Sequence, residues 1–235
     1  MEIKTILFDL DGTLLPMDQD RFIGAYMKGL AQKAVPHGYD PKKFVDAVWM
    51  GTALMIQNDG KCRNEEVFWK HFYSVFGKES AKDKPVFDDF YRNEFQQVSA
   101  SCGYDPRAAK LIEKLKEKGF HLVLATNPLF PQMATHSRVR WAGMNPEEFD
   151  WITTYENASF CKPNIRYYEE IIGNLNLDPA QCLMVGNDVD EDMIAEKLGM
   201  RVFLLTDYLL NKHNLDISAY PQGSFEALEA YIDSL

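Results

Sequence analysis

The chain has 235 residues, a formal net charge of −10 and 46% hydrophobic residues. That length allows one core domain of ordinary size plus an insertion, and the apolar share is ample for a buried core. No basic stripe offsets the negative charge, which argues against a nucleic-acid polymer as the main ligand, and no run of ~18 or more apolar residues is present to span a membrane.

The first predicted element is a strand over residues 5–8, an apolar run suited to a sheet covered on both faces, with Gly12 marking the turn after it. Two carboxylates, Asp9 and Asp11, leave its end. Strand alternation sets them on one face, where mutual repulsion favours a bound divalent cation or a raised pKa on one of them. The plainer reading is a solvated acidic turn. From about residue 17 to 99 the pattern is helical, with Phe22, Tyr26 and Leu30, then Phe44, Val48 and Trp49, then Val67, Phe68, Phe72 and Phe76, then Phe87, Phe90, Tyr91 and Phe95. These aromatics read as core packing. Met50-Gly51-Thr52 interrupts the pattern, as a loop dipping toward the site or as an ordinary interhelical turn.

Asp105-Pro106 opens a helix that runs to Lys118, and Gly119 stops it. A second apolar strand over 120–125 ends in Thr126-Asn127-Pro128. Pro131 begins a helix to about Trp141, residues 150–153 suggest a short strand, and Cys161-Lys162-Pro163 sets a cation just before a helix over 164–175. A third apolar strand, 182–185, ends in Gly186-Asn187-Asp188-Val189-Asp190-Glu191-Asp192. Residues 191–198 read as helical, Gly199 ends them, and 201–205 form a further strand; Phe225, Leu228 and Ile232 suggest a closing helix. Helices between parallel strands predict a doubly wound α/β sheet. Each polar group has a bland role available: Thr126 as a helix cap, Lys162 as a surface charge, the acidic run as a solvated helix start. What they share is position, at the carboxyl ends of strands, where open α/β sheets collect ligands.

In that order the pieces resemble the haloacid dehalogenase superfamily. Its four motifs are an Asp-x-Asp-x-Thr loop, a Ser or Thr after the second strand, a basic residue and a terminal acidic loop. Here they match Asp9 to Thr13, Thr126, Lys162, and Gly186 to Asp192, over about residues 3–206. The resemblance implies a Rossmann-like core (1–16 and 100–235) with an α-helical cap (17–99) inserted after the first motif. Thr126 lies beyond Asp9 by far more than the ~30 residues of one βαβ unit, which requires an insertion.

The same resemblance makes Asp9 a nucleophile that forms an aspartyl-phosphate and Asp11 the acid and base on the leaving oxygen and water. Thr126 and Asn127 would hold the phosphoryl group, with Lys162 neutralising charge. Magnesium would join Asp9, the backbone carbonyl of Asp11 and the terminal loop. Family members most often carry Gly-Asp there, whereas this chain has Gly186-Asn187-Asp188. An ionised oxygen suits magnesium better than an amide, which favours Asp188 as ligand, with Asn187 the alternative and Asp192 outside the ligand sphere. Asp190 and Glu191 are expected to face solvent.

An Asp two residues after the nucleophile separates phosphatases from dehalogenases. The expected activity is therefore magnesium-dependent hydrolysis of a small phosphorylated metabolite or nucleotide. A sugar-phosphate mutase, or a binding or regulatory protein on the same fold, is the alternative. Arg21, Lys28, Trp49, Met50, Thr52 and Arg63 are candidates for leaving-group contacts. Cysteines at 62, 102, 161 and 182 show neither a CxxC pair nor disulfide-dense spacing, and no signal-peptide pattern is present, so a soluble cytoplasmic protein with reduced thiols is expected. Cys161, beside Lys162, reads as a buried inert thiol rather than a reactive one. The five histidines show no metal-ligand spacing.

Overall fold

In the computed structural model, which describes residues 2–235, six strands form one parallel sheet. They are β1 (Thr5–Phe8), β2 (His121–Leu124), β3 (Trp151–Ile152), β4 (Cys182–Gly186), β5 (Arg201–Leu205) and β6 (Gln222–Gly223), in the order β3-β2-β1-β4-β5-β6. The near-continuous apolar runs are what a parallel sheet covered on both faces requires. Ile6, Phe8, Leu122, Leu124, Leu183 and Val185 pack on one face, under α5 (Pro106–Glu117), α6 (Gln132–Trp141) and α8 (Phe225–Asp233). Leu7, Val123, Met184, Val202 and Leu204 pack on the other, under α7 (Ile165–Leu175). Burying each such side chain fully contributes roughly 1.5–3 kcal/mol. The helices start where their capping residues stand: Asp105, Asn164 and Ser224 each accept a backbone N–H of the first turn.

Register decides where the chemistry can gather. Phe8 lies opposite both Leu124 and Val185. Asp9 N–H then donates to Val185 O at 2.9 Å, and Ala125 N–H to Phe8 O at 2.7 Å. Asp9, Thr126 and Asn187 therefore leave three adjacent strands at nearly one level. The chain passes from β1 to β2 and β3 on one side and returns to β4 on the other, so this is also the point where the winding reverses.

Between β1 and β2 lie α1 (Gln19–Ala34), α2 (Pro41–Ile56), α3 (Asn64–Phe76) and α4 (Lys84–Arg92). The chain leaves and re-enters the core side by side, with Met17 and Cys102 bridged antiparallel and Gly103 N–H donating to Pro16 O at 2.7 Å. Phe22, Tyr26, Phe44, Phe72, Phe87, Phe90 and Phe95 pack together inside the insertion and join the core cluster on the sheet.

Two local expectations are corrected and one strand is added. Met50-Gly51-Thr52 is neither a dipping loop nor a turn but the interior of α2. Gly51 is there because a Cβ would stand 2.7 Å from the Phe68 ring, so its absence lets α2 and α3 approach closely. Residues 193–198 wind as a 3-10 turn rather than an α-helix, since Asp188 and Asp192 tie the preceding loop into tight turns. Gln222–Gly223 adds a short edge strand that its two residues could not announce. Among the described residues no helix is long and apolar enough to cross a membrane.

Candidate active site

Asp9 sits at the centre, buried at the end of β1. Its Oδ1 accepts from Lys162 Nζ at 2.9 Å and its Oδ2 from Thr13 Oγ1 at 3.3 Å. Thr13 Oγ1 also lies 3.1 Å from Asn187 Oδ1, so one hydroxyl links the first and last motifs. Gly12 makes this possible. Its φ of +87° suits glycine, and a Cβ there would fall 2.4 Å from Asn187 Nδ2.

Lys162 is 1% exposed and is also bonded to Asp192 Oδ1 at 2.6 Å. Burial works against its charge, yet the carboxylates of Asp192 and Asp9 more than offset it and hold its pKa well above the usual lysine value. Asp192 in turn accepts the Asp188 N–H through Oδ2 at 3.0 Å. Burial raises its pKa, with Lys162 pulling the other way.

Asp11 stands apart from this pair. Its Oδ2 is ion-paired with Arg138, and its Oδ1 is buried without a partner among the described residues. Burial pushes its pKa up to about 6, with Arg138 opposing and Asp9 adding to the rise. Thr126 is buried, and its carbonyl accepts from Thr153 Oγ1 at 2.6 Å and Tyr167 Oη at 2.9 Å, which pins the loop after β2. Asn127 Nδ2 donates to Glu191 Oε2 at 3.1 Å and to Lys162 O at 3.4 Å, while its Oδ1 is buried and has no partner among the described residues.

The two candidates of the terminal loop point differently. Asn187 Nδ2 donates to Tyr208 O at 2.7 Å, which turns its amide oxygen toward Thr13. Asp188 Oδ1 accepts the N–H groups of Asp190 and Glu191 at 2.9 and 3.0 Å, as a turn cap does. Among the described residues no group of three or more His, Cys, Asp or Glu side chains is placed to hold a metal ion. The oxygen donors here suit a hard cation held by one or two carboxylates, completed by water and phosphate oxygens.

Two residues of the cluster escaped the sequence reading. Arg138, 1% exposed on α6, stacks its guanidinium 4.4 Å from the Phe130 ring centroid and meets Asp11. Glu191 is half-buried rather than turned out to solvent: its carboxylate bonds Asn127, and burial raises its pKa against the pull of Lys162. A helical Arg in an ordinary polar context carries no signal of its own, and Glu191 was hidden in an acidic run. Asp190 is partly exposed and pairs with His213 at 2.9 Å. Of the insertion's candidates, Arg21, Lys28 and Met50 are exposed. Arg63 is bound to Glu170, Ser159 and the Asn157 carbonyl. Trp49 and Thr52 border a cavity. Cys161 is buried, and burial raises its thiol pKa, as an inert cysteine requires.

Residues 3–198 match the model of the haloacid dehalogenase-like hydrolases. The chain belongs to that family. It is 28% identical over 225 residues to a glyceraldehyde 3-phosphate phosphatase of Methanothermobacter thermautotrophicus, covering 92% of this chain and 94% of the relative. A phosphoglycolate phosphatase of Vibrio vulnificus is 27% identical over 206 residues, covering 87% and 84%. The fold is shared with a HAD hydrolase of Bacillus subtilis solved with bound magnesium, at a TM-score of 0.57 and 18% identity, with 99% of each chain covered. The haloacid dehalogenase-like assignment fits the parallel sheet and the position of the acidic cluster at its carboxyl edge.

Proposed function

We propose that this hydrolase cleaves small phosphate monoesters through an aspartyl-phosphate on Asp9, with magnesium as its metal. The observation that carries the reading is a carboxylate fixed between Lys162 and Thr13, with a second carboxyl, raised to about 6, two residues on. An Asp9 oxygen bonds to phosphorus as the ester P–O bond breaks. The Asp11 carboxyl gives its proton to the leaving oxygen. Asp11, now ionised, takes a proton from water, whose oxygen attacks phosphorus and releases phosphate from Asp9. Lys162 holds charge on Asp9 and on the phosphoryl oxygens, and Asp192 fixes Lys162. Thr126 and Asn127, at the end of β2, are the phosphoryl-binding residues; Asn127 Nδ2 donates to Glu191 and to the Lys162 carbonyl, which leaves its Oδ1 without a partner among the described residues.

Magnesium, typical of the family and seen in the Bacillus relative, would be held by the Asp9 carboxylate, the Asp11 backbone carbonyl and the terminal loop, and would stabilise charge on the phosphoryl oxygens. In that loop we assign the ligand position to Asn187, whose oxygen faces Thr13, rather than to Asp188. The helices from about 17 to 99 would act as a cap, excluding water from the first step. The relatives' phosphatase names support the reaction class.

Phosphate release from a panel of monoesters, with magnesium, tests this. Asp9→Asn is expected to abolish release and any trapped aspartyl-phosphate while the fold stays intact. Turnover by a folded, undeamidated Asp9→Asn protein would sink the covalent route.

A further inference from the structure

A cavity of about 120 Å³ lies between the helical insertion and the core, walled by Tyr26 and Leu30 of α1, Phe44 and Val48 of α2, Phe72 of α3 and Phe130 from the loop after β2. No Lys, Arg, His, Asp or Glu lines it. Each of its hydroxyls already has one partner. Tyr26 and Tyr91 bond each other at 2.8 Å, Trp69 Nε1 donates to Tyr155 Oη at 3.4 Å, and Thr52 donates to Val48 O at 2.9 Å. A carboxylate placed there would lose its water with no cation to meet its charge, and a polyol would leave most of its hydroxyls unpaired, whereas an apolar group would lose nothing.

The cavity also lies on the leaving-group side of the site. Phe130 forms part of its wall and carries the guanidinium of Arg138 on its ring, and Arg138 holds Asp11, the group that protonates the leaving oxygen. Phe130 and Arg138 therefore stand between the apolar space and Asp11. Trp49, half exposed, and Ile23, Met27 and Thr52, partly exposed, form its rim. A dry apolar cavity of roughly 150 Å³ accommodates a benzene ring. The size here suits one ring or a short branched chain.

Resting on the phosphatase reading above, we infer that this subsite binds the apolar body of the substrate: the preferred ester is the phosphate of an alcohol bearing an aromatic ring or a compact hydrocarbon group. Small polar acids and sugars, such as those named for the relatives, fit the wall poorly.

The test compares kcat/KM for benzyl phosphate, methyl phosphate and phosphoglycolate with the full-length protein and magnesium. The first two share an alkyl leaving oxygen, so their ratio reads the body alone. Benzyl phosphate is expected to lead both others by at least about tenfold, the scale on which apolar pockets discriminate. Val48→Phe, which fills the cavity, is expected to lower the benzyl-to-methyl ratio by about tenfold; Val48→Leu serves where the larger side chain prevents folding. Phosphoglycolate turned over as well as benzyl phosphate, or a ratio indifferent to both Val48 variants, would overturn the apolar subsite and leave the phosphatase reading standing. Release from none of the three, with no aspartyl-phosphate trapped, would remove both.

Discussion

Thr13 shows how little material joins the ends of this site: one hydroxyl stands 3.3 Å from Asp9 and 3.1 Å from Asn187. If Asn187 takes the ligand position, its loss removes a magnesium oxygen, whereas losing Asp188 removes a turn cap worth about 1 kcal/mol. Asn187→Ala is therefore expected to raise the magnesium concentration for half-maximal activity by tenfold or more, and Asp188→Ala to lower thermal stability with a smaller effect on magnesium. Activity against magnesium concentration decides between them; the reverse order would return the position to the ionised side chain. Asp11 gives a pH signature. Burial raises its pKa to about 6, so a proton that it gives to the leaving oxygen under the proposed mechanism is held up to that pH and lost above it. The rate constant kcat/KM for an alkyl phosphate should fall as pH rises through about 6, with nitrophenyl phosphate, a better leaving group, less affected. Arg138 lowers the pKa of Asp11, so Arg138→Met should move that limb upward in pH. A limb unmoved in the variant would detach Arg138 from this role. The first motif was legible because two carboxylates after four apolar residues have few structural uses. Arg138 was not, because nothing local distinguishes a buried helical arginine whose partner lies 127 positions away.

At the scale of elements, strands read well where length and chemistry agreed. β1, β2, β4 and β5 are buried apolar runs bounded by turn residues, and their ends could be placed almost to the residue. α5 announced itself through Asp105-Pro106 and α7 through Lys162-Pro163 and the helical spacing that follows; in the structure Asp105 and Asn164 cap them. Gly51 misled for a physical reason: glycine signals a break by its backbone freedom, but here it is used for its missing side chain, against Phe68. A larger residue there must push α2 from α3. Gly51→Leu is expected to destabilise the protein by about 1–3 kcal/mol, the range for overpacking, despite a better helix propensity. Chemical denaturation of wild type and variant measures it. A stability gain would show that α2 and α3 have slack at this crossing.

The whole molecule couples its two parts through packing rather than through a linker. The core cluster runs without a break from Ile6 and Leu183 on the sheet to Phe44, Phe72 and Phe87 in the insertion. Asn64, fully buried at the start of α3, reaches the Pro128 carbonyl at 3.3 Å and Cys161 Sγ at 3.2 Å, so the insertion also grips the loops after β2 and before α7. The exposed Arg63–Glu170 pair nearby adds no more than about 1 kcal/mol. An insertion whose aromatic core were closed on itself would melt separately, because few contacts would be lost by the sheet when it opened. Here, unfolding α1 to α4 strips cover from Phe130, on which Phe22 and Tyr26 pack, and takes the Asn64 amide away from the Pro128 carbonyl and Cys161. Insertion and core are therefore expected to unfold in one transition. Tryptophan placement makes this measurable: Trp49 and Trp69 report on the insertion, Trp141 and Trp151 on the core. In urea, fluorescence of a Trp49→Phe/Trp69→Phe variant, fluorescence of a Trp141→Phe/Trp151→Phe variant and far-ultraviolet circular dichroism should each trace a single transition, with the dichroism midpoint coinciding with the fluorescence midpoint within each protein. An earlier fluorescence midpoint in the protein that keeps Trp49 and Trp69 would mean that the helical insertion opens alone, and that access to Asp9 is governed by that local equilibrium.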